Sequence, residues 1–247
     1  MPTFAVILPA AGQSSRFGGP QKKPFLTLDG KAVWQRSAEL FWKRPGVHGV
    51  FVVVSPGDRD EFTARFAGIC MIHDASIVTG GAERFESVAN ALARIPDDVD
   101  FVAIHDAVRP LLDPKQIDAV FAAAIEHGAA MLAVPVADTL KRVEASTRRI
   151  TETVPRAGLW AAQTPQVFRR DWLVEAYARR GSLNAAITDD AQLVEALGHS
   201  VVAVPGSPLN FKITTREDFD LAEMVLKARG AKPEPAAARP FDDEGPW

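Results

Sequence analysis

The chain contains a single cysteine, Cys70, so no internal disulfide can form and a reducing compartment is expected. It has no long hydrophobic run. The opening MPTFAVILPA lacks a basic n-region, and its apolar stretch is too short for a signal peptide or a membrane span. Net charge is −3, which gives no general pull toward nucleic acid or an acidic membrane surface. No internal repeat is visible, and no Ser-His-Asp or Cys-His constellation stands out. These absences lead to the expectation of a cytoplasmic protein that uses small molecules, with no nucleic acid and no membrane.

What is present fills a core. The chain has 247 residues and is 47% hydrophobic. Short apolar runs at Phe4–Pro9, Val47–Ser55, Phe101–His105, Ala130–Val136 and Ser200–Val204 are rich in Val and Ile, mostly without polar alternation. Strands buried on both faces read this way. Between them, Val33–Trp42, Asp60–Phe66, Glu83–Ile95, Pro114–His127, Asp189–Leu197 and Arg216–Ala228 carry helical patterns, with Asp113 before Pro114 as a cap-then-proline start. The alternation predicts an α/β fold with a mostly parallel sheet flanked by helices. One segment breaks the rhythm. Asp138–Val154, DTLKRVEASTRRITETV, reads as a projecting β-hairpin, or blandly as an ordinary surface hairpin. The last stretch, AKPEPAAARPFDDEGPW, has no period and is rich in Pro, Ala and charge. The expected organisation is one domain over residues 1–230, with an arm at about 137–156 and a disordered tail over 231–247.

The first strand ends in LPAAGQSSRFGGPQKKPFL, a small-sided, positively charged loop. In an open parallel sheet, ligands bind beyond the carboxyl ends of strands. Gly12, Gly18 and Gly19 permit close backbone approach, and successive amides in such a loop can cradle an anion. Arg16, Lys22 and Lys23 could neutralise phosphate charge. The pattern is neither GxxxxGK[ST] nor GxGxxG, so the P-loop and the dinucleotide fingerprint are both rejected. Three further clusters sit at other predicted strand ends. Gly80-Gly81-Ala82-Glu83-Arg84 with Ser87 opens a helix, where it could hold a base or phosphate or simply cap the helix. In IHDAVRPLL, Asp106 is placed to hold Mg²⁺ or to serve as a turn residue, and Arg109 follows. In NFKITT, Lys212 is either a site cation or a solvated side chain.

The ordered set of segments resembles the 2-C-methyl-D-erythritol 4-phosphate cytidylyltransferase family. The resemblance runs through ILPAAGQSSRFGGPQKKPFL, GGAERFESV, FVAIHDAVRPLL, VADTLKR, LWAAQTPQVF, ITDDAQLVEALG and NFKITTREDFDLAE, from about Phe4 to Leu226. It implies a Rossmann-like sheet and a homodimer whose arm completes the partner's site. It implies that Ala10, Ala11, Gly12, Gly80, Gly81, Ala82 and Ser87 bind CTP, with Arg16, Lys23 and Lys212 catalytic. Asp106 would bind Mg²⁺ and approach the methylerythritol phosphate. Arg109, Thr164 and Thr188, with Thr139 and Arg156 of the arm, would hold that substrate. Two positions depart from the family pattern: Leu209 stands where an acidic residue is common, and Pro24 where a polar residue follows the loop lysine. Lys22-Lys23 leaves the register open by one; the spacing to Phe25 and Leu26 selects Lys23. The family includes fusions to a cyclodiphosphate synthase domain, for which the chain is expected to end too soon.

The implied nucleophile is a phosphate oxygen, already anionic, so no general base is needed. Two rival readings differ in testable ways. A cytidylyltransferase for another polyol phosphate, such as ribitol phosphate, would differ at Thr139 and Arg156. A non-catalytic nucleotide-binding protein would show a defect at Lys23, Asp106 or Lys212, and none is seen except at the neighbouring Leu209.

Overall fold

The computed structural model describes residues 1–12, 22–182 and 187–230. In chain order the elements are β1 (Phe4–Pro9), a short ribbon of β2 (Thr27–Leu28) and β3 (Lys31–Ala32), α1 (Val33–Glu39), β4 (Val47–Val54), α2 (Arg59–Ile72), β5 (Ala75–Thr79) and α3 (Arg84–Leu92). Then follow β6 (Phe101–Ile104), α4 (Pro114–His127), β7 (Ala129–Pro135), β8 (Leu140–Val143), β9 (Ile150–Val154) and β10 (Trp160–Arg169). The chain closes with α5 (Arg170–Arg179), α6 (Ala191–Glu195), β11 (Val202–Pro205) and α7 (Arg216–Gly230).

Among the described residues, seven strands form one sheet in the order β11-β7-β10-β6-β1-β4-β5. Every pairing is parallel except those of β10, which runs antiparallel to both β6 and β7. From β1 the chain winds outward through β4 and β5, then returns to lay β6 on the other side of β1. The β1/β6 seam is therefore the topological switch point, where the loops leaving the two strands part and open a crevice.

The unbroken apolar reading of β1 has its cause here. Phe4, Val6, Leu8 and Ala10 enter a core with Trp34, Phe41, Phe62 and Ile117, from the side of α1, α2 and α4. Ala5 and Ile7 face the other way, into a core with Val88, Leu92, Phe168 and Leu173, from α3, β10 and α5. The Asp113 cap is present: its carboxylate accepts the Lys115 N–H at 2.8 Å, and Pro114 opens α4. The helix ends at Gly128, in the left-handed region at φ 86, where an added Cβ would lie 2.3 Å from the Trp172 ring.

Five elements go beyond the sequence expectation: the short ribbon strands β2 and β3, together with β5, β10 and α5. In β10 the run Gln163-Thr164-Pro165-Gln166 reads against a strand, because two amides and a proline interrupt the apolar pattern. Tertiary partners override that local preference. Gln163 donates to the Ser207 carbonyl at 2.8 Å, and the Gln166 side-chain oxygen accepts the N–H groups of Asp190 and Ala191 at 3.1 and 3.0 Å. The amides are thus buried but satisfied. Helix α2 also runs on to Ile72, past the expected end at Phe66.

The segment expected as a hairpin forms one: β8 and β9 pair with each other, in a two-stranded sheet separate from the main one. Its residues are mostly exposed. No helix among the described residues is long and apolar enough to cross a membrane. Residues 231–247 lie outside the described residues.

Phe168 is fully buried in β10. Truncation to Ala is expected to destabilise the fold by about 3–5 kcal/mol, through lost burial plus the cavity left behind. Urea unfolding followed by tryptophan fluorescence measures this; a loss below 1 kcal/mol, on the order of a surface change, would show that β10 is not integral to the core.

Candidate active site

A cavity of about 250 Å³ opens at the β1/β6 seam, lined by Pro9–Gly12, Pro24, Gly81–Arg84, Ser87, Asp106, Val108 and Lys212. Four separate stretches of chain reach it, each just past a strand or at a helix start. The loops after β1 and β5 meet across the end of β4. Ala10 and Gly80 donate their N–H groups to the Val53 and Val54 carbonyls at 2.8 and 2.7 Å. Gly80 allows this approach: an added Cβ would lie 2.6 Å from Ser87 Oγ and 3.2 Å from Ala11 Cβ. Ser87 Oγ accepts the Gly81 N–H at 3.1 Å, and Glu86 Oε2 accepts those of Ala82 and Glu83 at 2.6 and 3.1 Å. The 80–83 loop is therefore fixed by the first turn of α3, with its backbone facing the cavity.

On the facing wall, Asp106 is 7% exposed. Its Oδ2 meets Arg109 Nε at 3.1 Å and Lys212 Nζ at 3.2 Å. Burial alone would raise its pKa, but the charges of Lys212, Arg109 and Arg84 outweigh it and hold the carboxyl well below the usual range. The group is therefore an anion at neutral pH. Behind it stands a neutral histidine. His105 is completely buried, which pushes its pKa down to about 4. Its Nε2 lies 3.1 Å from the Arg109 carbonyl, so that nitrogen carries the proton. Nδ1 then accepts from the Thr164 hydroxyl at 3.0 Å, while the same hydroxyl oxygen accepts the Asp106 N–H at 3.0 Å.

Lys212 is brought in by the loop after β11. Asn210 is fully buried and donates to Gln163 Oε1 at 3.2 Å and to the Thr164 carbonyl at 2.9 Å. Its main-chain carbonyl accepts from Arg109 Nη1 at 2.7 Å. Asn210, through side chain and backbone together, thus ties β10, the Arg109 guanidinium and the Lys212 loop into a single unit.

A family model described as IspD, 2-C-methyl-D-erythritol 4-phosphate cytidylyltransferase, matches residues 4–228. The chain belongs to this nucleotidyltransferase family. It is 43% identical over 236 residues to the 2-C-methyl-D-erythritol 4-phosphate cytidylyltransferase of Rhodopirellula baltica, covering 91% of this chain and 95% of that one. The Salinibacter ruber enzyme of the same name is 44% identical, with 90% and 92% covered. The crystal structure of the Thermus thermophilus enzyme superposes with a TM-score of 0.74 at 34% identity, over 92% of this chain and 100% of that one.

Of the residues that the family pattern points to, the cavity gathers Ala10, Ala11, Gly12, Gly81, Ala82, Ser87, Asp106 and Lys212. Gly80 lies just beneath Ser87. Arg109 and Thr164 stand behind Asp106 rather than on the wall. Thr188 lines a separate small cavity of about 70 Å³ beside Arg84 and Asp190. Thr139 and Arg156 are exposed on the arm and do not line the cavity of their own chain. Arg16 and the side chain of Lys23 lie outside the described residues. Lys22 is committed elsewhere: its ammonium meets Asp58 Oδ2 at 2.5 Å and Ser55 Oγ at 3.2 Å. Leu209 is 44% exposed and lies outside the cavity wall. Sequence reading missed Asn210, Gln163 and the roles of His105 and Arg84. A buried amide at the end of a loop leaves no signature in one sequence.

Lys212→Ala should lower turnover about a hundredfold or more, beyond any fall in melting temperature, because it removes the ammonium that lines the cavity beside Asp106. Lys22→Ala should leave turnover near wild type. Steady-state kinetics with melting curves measures both, and a crippled Lys22→Ala would move the site lysine by one position.

Proposed function

We propose that the chain joins CTP and 2-C-methyl-D-erythritol 4-phosphate to give CDP-methylerythritol and pyrophosphate. The observation that carries the reading is the cavity at the β1/β6 switch point. It faces the small-sided Ala10–Gly12 loop and the fixed 80–83 loop on one wall, and an ionised Asp106 flanked by Lys212 on the other. Small side chains and closely approaching main chain suit a nucleotide, and the charged wall suits its phosphates.

The chemistry needs no base. A phosphate oxygen of the polyol substrate attacks the α-phosphorus of CTP, a new P–O bond forms, and the bond to pyrophosphate breaks. The nucleophile is already an anion, in keeping with a histidine that is neutral, buried and turned away. The barrier is repulsion between anions and charge growing on pyrophosphate. Lys212 supplies positive charge from one wall; Arg16 and Lys23 would supply it from the opening loop. Arg109 would hold the Asp106 carboxylate in place from behind, and Thr164 fixes the backbone of that carboxylate.

The residues present fit Mg²⁺. Among the described residues no three His, Cys, Asp or Glu side chains converge to cage a metal. A single ionised carboxylate completed by phosphate oxygens and water is the donor set that Mg²⁺ takes beside nucleotides. Asp106 is that carboxylate, and with Leu209 at the neighbouring position no second one is supplied from the Lys212 loop. The ion, when bound, would neutralise phosphate charge.

The arm supports a homodimer reading. Val143 and Ile150 expose apolar surface at 47 and 62%, on a hairpin whose strands, among the described residues, pair only with each other. Thr139 and Arg156 would enter the partner's cavity and complete its polyol-phosphate pocket.

Two measurements test this reading. In a pyrophosphate-release screen of the four nucleoside triphosphates against several polyol phosphates with Mg²⁺, CTP with methylerythritol phosphate should turn over fastest. Faster turnover of ribitol phosphate would assign a different substrate. Co-expression of an inactive Arg156→Ala chain with an inactive Lys23→Ala chain should restore activity, since a mixed dimer holds one intact site. Mixed dimers as inactive as their parents would place Arg156 in its own subunit's site.

A further inference from the structure

Arg84 has no role in the account above, yet it lines the cavity with Asp106 and Lys212. It is the first residue of α3, and its side chain is 35% exposed. Arg84 Nη2 meets Asp190 Oδ2 at 2.6 Å. Asp190 itself is 1% exposed, and its other carboxylate oxygen accepts from the Tyr177 hydroxyl at 2.5 Å. The backbone of Asp190 is pinned by Gln166. The counter-ion is therefore rigid, and it holds Arg84 from one side.

A guanidinium carries five N–H donors in a plane. Among the described residues, Asp190 is the one side chain that accepts from Arg84. With the side chain 35% exposed, the remaining donors are not sealed in the interior, and Arg84 lines both this cavity and the small one beside Thr188. Its charge reaches Asp106, where it adds to those of Lys212 and Arg109. A purely structural clamp between α3 and the segment before α6 would have no need to face the cavity. A planar fork fixed from behind and open in front is the geometry that recognises a phosphate group.

We propose that Arg84 is a phosphate-contacting residue of this site, held in its productive orientation by the positioning residues Asp190 and Tyr177. The proposal rests on the cytidylyl-transfer reading. The triphosphate and the polyol phosphate offer the same oxygen chemistry, and the kinetics separate them.

Arg84→Gln, Arg84→Lys and Tyr177→Phe are compared with the wild type by full kinetics in both substrates and by thermal melting. Arg84→Gln, assayed well below its melting temperature, should lose about a hundredfold in kcat/KM; its melting temperature should also fall, because the buried Asp190 loses its counter-ion. Arg84→Lys should recover part of that loss, because the charge returns without the fork. A KM rise confined to CTP assigns the contact to the triphosphate, and one confined to the polyol phosphate assigns it there. A fall in kcat alone, rescued by Lys, assigns a contact made in the transition state. Tyr177→Phe should move the same parameter as Arg84→Gln by less. The proposal is overturned if Arg84→Gln matches the wild type in kcat and both KM values. It is equally overturned if activity falls only in step with melting temperature and Lys gives no rescue. Should the wild type turn over neither substrate, the functional reading fails, and calorimetric binding of inorganic phosphate decides the Arg84 contact. Weaker binding in Arg84→Gln, restored in Arg84→Lys, supports it; equal binding in all three overturns it.

Discussion

Asp106 is a carboxylate at the end of a buried strand, and burial there opposes its charge. Lys212 and Arg109 reverse that preference by lying 3.2 and 3.1 Å from the same oxygen. Much of the site's architecture follows from keeping these three groups together. An unpaired buried charge is strongly destabilising, so each partner has to be delivered reliably. Arg109 comes from the same loop, three residues on. Lys212 comes from the far end of the chain and needs the Asn210 amide to bring it in. His105, neutral and packed beside the Phe41 ring, holds the Arg109 carbonyl and Thr164 from behind.

The other wall sets closely packed backbone beside the Arg84 charge. Glycine at position 80 and short side chains at 10, 11 and 82 bring main chain close to whatever occupies the cavity. Ser87 and Glu86 satisfy the loop amides that would otherwise be free to wander. Both walls bring positive charge to a group transfer between two anions, Lys212 on one and Arg84 on the other. Both are anchored in the sheet, so their spacing is set by strand registers rather than by loop flexibility.

β10 shows how the site and the fold depend on one another. It is the strand that breaks the parallel order, and it carries three buried polar side chains, Gln163, Thr164 and Gln166. Each faces a loop with a part in the site: Gln163 the 206–210 loop, Thr164 the Asp106 backbone, Gln166 the Asp189–Ala191 turn. Replacing this strand with an apolar one would keep a core and lose the scaffold of the cavity.

The sequence by itself determined the α/β class, the central strands β1, β4, β6 and β7, the exposed hairpin and the family. Those features are written locally, in apolar runs buried on both faces and in motifs whose order survives in one chain. It also named Asp106 and Lys212, because charged residues just past buried strands are conspicuous. It could not reveal β10, whose polar run makes sense only once its partners arrive from residues 189–210. Nor could it distinguish Lys22, paired with Asp58 at 2.5 Å, from a lysine available to the site. The neutral state of His105, the tie made by Asn210 and the pairing of Arg84 with Asp190 were decided only by tertiary structure. Each depends on contacts between segments far apart in the chain, and burial and pairing at that range leave no mark on local composition.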